Sequence, residues 1–248
     1  MGDEARIEDY QDAFARMERR VDQGETDLSR LGFWRLVGRV KLEPRLAEHW
    51  ADQVGRIDRT AFERAVRIRV PVWVGNLLLL VGTAVLIATV VVALRLVQDD
   101  PGSAVAGWLA VVAALGLSVT VHDPAHWVVG RLVGIRFSHY FLDGPTRMQP
   151  GLKIDYAAYL RASPSGRAWM HAAGAVASKI APFAVFAALY LPHRASGYDL
   201  FPSWSLWAVL GFGVLQLITD LTFSVRASDW KKVRRERRLA RAQRAERL

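Results

Sequence analysis

Long uninterrupted apolar runs dominate the pattern of this chain. Residues 71–94 (24 positions) and 102–121 (20 positions) contain no ionisable side chain. At about 1.5 Å per helical residue, each run can cross about 30 Å of hydrocarbon. Two more apolar stretches follow, Ala168 to Pro192, broken by Lys179, and Ser203 to Val225, broken by Asp220. Together they predict four membrane helices, at about 71–97, 102–133, 168–192 and 203–225. The fold class expected is an all-α polytopic membrane protein in three parts: an amphipathic helical region over 1–70, a membrane domain over 71–225 and a basic tail over 226–248.

Outside the spans the pattern changes period. In the first 70 residues Phe14, Val21, Leu31, Phe33, Trp34 and Leu36 form the apolar faces of short helices, with Gly24 and Pro44 as punctuation. Between the second and third spans, Ile135 to Leu142 is rich in β-branched and aromatic residues. Asp143-Gly144-Pro145 follows, and then a second run from Leu152 to Leu160, so a small β-hairpin insertion is expected there.

Charge gives these spans a direction. The loop at 98–101 carries Asp99 and Asp100 and no cation, whereas 134–167 carries five Lys/Arg against two Asp, and 226–248 carries ten Lys/Arg against three acids. Cations collect on the cytoplasmic side, so a multi-pass protein with both termini cytoplasmic is expected. No secretory signal peptide is expected, because the first 70 residues hold 14 Lys/Arg against 14 Asp/Glu, and the first span would itself act as the targeting element. The basic tail reads as a solvated helix attracted to anionic lipid. It has one aromatic residue, Trp230, and no recognisable nucleic-acid-binding module, so no nucleic acid partner is expected.

Composition narrows the chemistry. The 248 residues include no cysteine, which excludes disulfides, thiolate metal sites and thiol nucleophiles, so a metal would have to be held by His, Asp or Glu. At the end of the second span stands His122-Asp123-Pro124-Ala125-His126. Two histidines four apart lie on one helix face and can share a metal, and ionisable groups within a span point to a functional site. Counting back from Arg131 and Arg226, His126 and Asp220 lie five and six residues inside their helix ends, which puts them at a common depth. His122, His126 and Asp220 would then form a three-ligand zinc set with a fourth position for water, and Asp123 is placed to take that water's proton.

Three stretches, VHDPAHWVVGRLVGI at 121–135, RAWMHAAGAVASKIAP at 167–182 and LITDLTFSVRASDWKK at 217–232, resemble the site-2 proteases, intramembrane zinc metalloproteases with a His-Glu-x-x-His motif and a distant third-ligand aspartate. The resemblance runs from Pro71 to Lys232. It implies His122 and His126 as zinc ligands, Asp123 in the glutamate position and Asp220 as third ligand, with Asp229 and His171 as competing candidates. It also implies that the small residues Ala173-Gly174-Ala175 pack between the ligand-bearing helices, and that the substrate is a membrane-spanning protein.

Two features depart from the family pattern. Aspartate is one methylene shorter than glutamate, and Asp123-Pro124 is also a helix-start signature. Lys179, deep in the third span, could pair with an acid, stabilise an oxyanion or snorkel through an aqueous cavity; with His171 it is an auxiliary candidate. The rival expectation is a catalytically silent relative acting as a binding or regulatory scaffold. A small transporter using Asp220 and Lys179 is a third class, for which four helices without a repeat give thin support.

Overall fold

The computed structural model describes residues 3–142, 151–197, 199–222 and 228–245. The chain divides into two compact units, Met1–Gly75 with Gly130–Arg167 and Glu236–Leu248, and Asn76–Val129 with Ala168–Arg235.

The first unit begins with three helices, α1 (Asp3–Asp22), α2 (Phe33–Val40) and α3 (Pro44–Ala65). Phe14, Val21, Phe33, Trp50, Val54 and Ile57 form their core, with Leu31 and Leu36 packed against it. Trp34 instead stays exposed and packs at a tilt of 48° against the Tyr156 ring, with centroids 4.8 Å apart. The turns fall where expected: Gly24 takes φ +103°, which suits a residue without Cβ, and Pro44 opens α3.

The expected hairpin is present but larger and shorter-armed. Strands β1 (Arg69–Pro71), β2 (Phe137–Phe141) and β3 (Gly151–Ile154) form an antiparallel sheet in that order, with Val70 opposite Tyr140 and Phe137 opposite Ile154. The first strand, from the chain just before the first span, is too short to announce itself by alternation. The second expected run does not stay extended to Leu160. Asp155 accepts from the backbone N–H groups of Ala157 and Ala158 and so caps a helix, α7 (Tyr156–Arg161). The expected turn at 143–145 lies outside the described residues.

Three helices are long and apolar enough to cross a membrane: α4 (Val72–Asp99) with mean hydropathy 2.9, the continuous stretch Ala104–Leu132 with 2.1, and α8 (Pro164–Ser196) with 1.7. These are the spans a multi-pass membrane protein requires. The fourth expected span is a helix, α9 (Ser203–Thr222), which ends its described part soon after Asp220; among the described residues three spans, not four, meet that standard. Within the second unit, the small residues Ala106, Ala110, Ala113 and Ala114 are buried and let neighbouring helices approach closely. A Cβ on Gly107 would lie 2.9 Å from the Trp204 ring, so this approach depends on glycine.

The second span is two helices in line, α5 (Ala104–Thr120) and α6 (His122–Leu132). Pro124 has no N–H to offer the carbonyl of Thr120, four residues back, and the break falls at Val121. The bonds on either side survive, Val121 N–H to Leu117 and Ala125 N–H to Val121, both 3.1 Å. Both histidines therefore belong to one helix.

The tail is not solvated all round. Helix α10 (Asp229–Ala245) buries Val233 and Glu236. Within the first unit the Glu236 carboxylate accepts from Lys41 Nζ at 2.5 Å, Arg167 Nε at 2.7 Å and the Tyr159 hydroxyl at 3.1 Å. Burial pushes its carboxyl pKa up, but the two cations outweigh burial and hold it below the ordinary value.

Candidate metal centre

His122 and His126 lie one turn apart on α6 with ring centroids 4.8 Å apart. Each ring is held by its Nδ1. His126 Nδ1 lies 2.6 Å from the Met170 carbonyl oxygen, which can only accept, so Nδ1 carries the proton. His122 Nδ1 lies 3.4 Å from Ser178 Oγ, and that hydroxyl donates to the Ala175 carbonyl at 3.2 Å, which leaves it to accept from the ring. In the neutral tautomer that these bonds select, each ring presents its Nε2 to the site.

Those two Nε2 atoms are 3.2 Å apart, and Asp229 Oδ2 lies 3.2 Å from that of His126 and 3.4 Å from that of His122. The other Asp229 oxygen, Oδ1, accepts from Lys232 Nζ at 3.0 Å. With protons on the ring nitrogens that face it, the Asp229 carboxyl is held well below the ordinary carboxylate range: burial raises its pKa, but hydrogen bonds from the two histidines, the charge of His126 and that of Lys232 outweigh burial. Three electron-pair donors thus face one another and require a positive charge among them. A proton can satisfy one edge of this triangle at a time; a metal ion satisfies all three. Tetrahedral zinc with bonds of about 2.0–2.1 Å has donor–donor edges of about 3.3 Å, which matches the three distances. His122, His126 and Asp229 thus form a possible metal site, and its donor types suit zinc.

Glycine 174 makes room for the site. A Cβ there would lie 2.5 Å from Cδ2 and 2.7 Å from Cε1 of the His126 ring. The small-residue stretch noticed in the sequence therefore accommodates a candidate ligand directly.

The third ligand is where expectation and structure part. Asp220 is not in the cluster. Its Oδ2 accepts from Lys179 Nζ at 2.7 Å and from Trp230 Nε1 at 2.9 Å. Counting residues along α9 set its depth but not the direction in which it points. Asp229 enters instead at the first residue of α10, where Ser228 caps the helix by accepting from Lys231 N–H. A serine followed by an acidic first residue is a helix-start pattern, and it is the sequence feature from which this helix could have been found. Asp123 lies in the first turn of α6 and interacts electrostatically with His122, His126, Asp229 and Lys232. His171 is buried on α8 and is not one of the three ligand atoms. Of the readings left open for Lys179, pairing with an acid is the one observed.

No family model matches the sequence, and no curated protein or solved structure matches it.

Proposed function

We propose that the second unit is a zinc-dependent intramembrane metallopeptidase of the site-2 protease type, which hydrolyses a peptide bond of a membrane-spanning protein. The observation that carries this reading is the triangle of His122 Nε2, His126 Nε2 and Asp229 Oδ2, with edges of 3.2, 3.2 and 3.4 Å in a chain with three apolar helices. These residues hold the metal, and the Met170 carbonyl and Ser178 hydroxyl keep the two rings in the required tautomer. When bound, zinc supplies the Lewis acidity that brings a water's pKa towards 7 and polarises the scissile carbonyl. The Asp123 carboxylate accepts the proton of the attacking water and returns it to the leaving amine. The basic tail, α10, would add affinity for anionic lipid.

The test is metal content of detergent-purified protein by mass spectrometry, with cleavage of a single-spanning substrate as the second readout. About one zinc per chain, lost in His122→Ala, His126→Ala and Asp229→Ala, supports the site. Loss of cleavage with retained zinc in Asp123→Asn supports the hydrolase. Folded wild type that takes up no zinc refutes the reading.

A second reading is a catalytically silent relative that holds the metal and binds a membrane partner. The aspartate at position 123 favours it, because its carboxylate reaches about 1.5 Å less far than glutamate's, and about 1 Å of misplacement can cost 100-fold in rate. Asp123→Glu separates the two: cleavage that appears only in this variant identifies the silent relative.

A further inference from the structure

The geometry points to Lys179 and Asp220 as positioning residues that act through Trp230 to hold Asp229 against the two histidines. This rests on the metal-site reading above and adds a function for an intramembrane ion pair that the site itself does not use.

One oxygen, Asp220 Oδ2, accepts from two donors on two other helices: Lys179 Nζ of α8 at 2.7 Å and Trp230 Nε1 of α10 at 2.9 Å. Trp230 directly follows Asp229, and the indole packs on Ala168 and Ala172 of α8 and on Val233. The tryptophan is thus held by its apolar body and by its single polar atom. Neighbouring residues of a helix point about 100° apart, so fixing the direction of residue 230 fixes the direction of residue 229. At a helix radius of about 5 Å with side chains, a 20° turn of the first turn of α10 would move the Asp229 carboxylate by about 1.7 Å. Metal–ligand distances tolerate about 0.2 Å. Lys232 restrains the opposite carboxylate oxygen, but from within α10 itself, so it turns with the helix and cannot set its rotation.

The ion pair explains why Asp220 can do this. A charged carboxylate at the end of an apolar helix is costly without a partner, and Lys179, whose side chain is 17% exposed, provides one. Lys179 and the indole converge on the same carboxylate oxygen, so the ammonium fixes the acceptor's position against Trp230 as well as offsetting its charge. Removing the cation therefore weakens the grip on Trp230 without touching any ligand.

The experiment uses the full chain in detergent and reads zinc affinity by competition with a chelating indicator, together with the visible spectrum of the cobalt(II)-substituted protein. Trp230→Phe keeps an aromatic body and deletes the donor. Asp220→Asn removes the charge, Lys179→Met removes the cation, and Lys179→Arg keeps it. Zinc affinity is expected to fall about 10–100-fold in Trp230→Phe, Asp220→Asn and Lys179→Met, with an altered cobalt spectrum even at saturation, and to recover to within a few-fold of wild type in Lys179→Arg. Trp230→Phe combined with Asp220→Asn should cost little more than either alone, because both break the same link. Wild-type affinity and spectrum in Trp230→Phe and Lys179→Met would overturn the positioning role while leaving the metal site intact. Asp220→Asn that loses zinc as completely as Asp229→Ala, with Trp230→Phe unaffected, would overturn it by making Asp220 a ligand. A wild type that binds neither zinc nor cobalt would refute the metal site itself, and the positioning role with it.

Discussion

Gly174→Ala is the smallest change that should separate the metal site from the fold around it. The new methyl would press closest on His126 Nε2, the ligand atom itself, and approach Cδ2 to 2.5 Å and Cε1 to 2.7 Å, whereas ordinary contact begins at 3.4 Å, so the ring must retreat by at least about 0.9 Å. Its Nδ1 bond to the Met170 carbonyl, now 2.6 Å, restrains that retreat. A ligand moved by this much leaves the zinc bond range, and zinc affinity should fall at least about 100-fold, the upper end of what lost ligand orientation alone costs. The effect on the fold should be smaller. Overpacking costs about 1–3 kcal/mol, and replacing a mid-helix glycine by alanine returns about 1 kcal/mol. Gly211→Ala is the control, since nothing lies within 4 Å of a Cβ there; it should leave zinc binding unchanged and the melting temperature equal or slightly higher. The assay pairs zinc competition with thermal unfolding in detergent. Wild-type zinc affinity in Gly174→Ala would refute the placement of His126 against α8, and with it the arrangement of the site.

Four further outcomes follow from the first unit. Glu236→Gln leaves Lys41 and Arg167 facing a neutral group inside the unit, and should destabilise it by about 3–5 kcal/mol in thermal or denaturant unfolding. Arg161→Ala breaks pairs with Glu48 and Asp52 whose acids are 64% and 67% exposed, and should leave the melting temperature nearly unchanged because solvent screens such pairs. Because the folded-state pKa of Glu236 lies below its ordinary 4.5, its contribution is complete above that value and disappears as pH falls through the folded pKa. The melting temperature of wild type should therefore drop on acidification below about pH 4.5 more steeply than that of Glu236→Gln. Asp155→Ala deletes two hydrogen bonds from the start of α7 and should cost about 1 kcal/mol, read as a lower melting temperature.

Much of this protein was legible before any coordinates. The apolar runs set three membrane-length helices, because a predominantly apolar run of that length satisfies its backbone hydrogen bonds in lipid only as a helix. The spacing of His122 and His126 placed two candidate ligands on one face, because the helix repeat is local, and Pro124 merely moved the helix break to just before them. The β-rich segment after the second span announced β2. It did not announce β1, whose three residues, Arg69–Pro71, are extended because Tyr140 and its neighbours pair with them. Nor did apolar patterning alone show that Asp155 would end β3 by capping a helix.

The third ligand is the clearest case of what only the tertiary structure decided. Asp220 and Asp229 are both aspartates near the end of the fourth apolar stretch, and residue counting measures depth along an axis without giving rotation about it. Rotation is set by packing between helices. In the fold Asp220 turns to Lys179 and Trp230, while Asp229 opens α10 and meets the histidines. Glu236 shows the same division. Within a run of arginines it reads as one acid on a solvated helix, yet it is buried because Lys41 and Arg167, 195 and 69 residues away in sequence, converge on it. Helix content, membrane length and ligand type are local properties carried by the sequence. Which of two equivalent carboxylates reaches a site depends on contacts between distant segments, which no local pattern encodes.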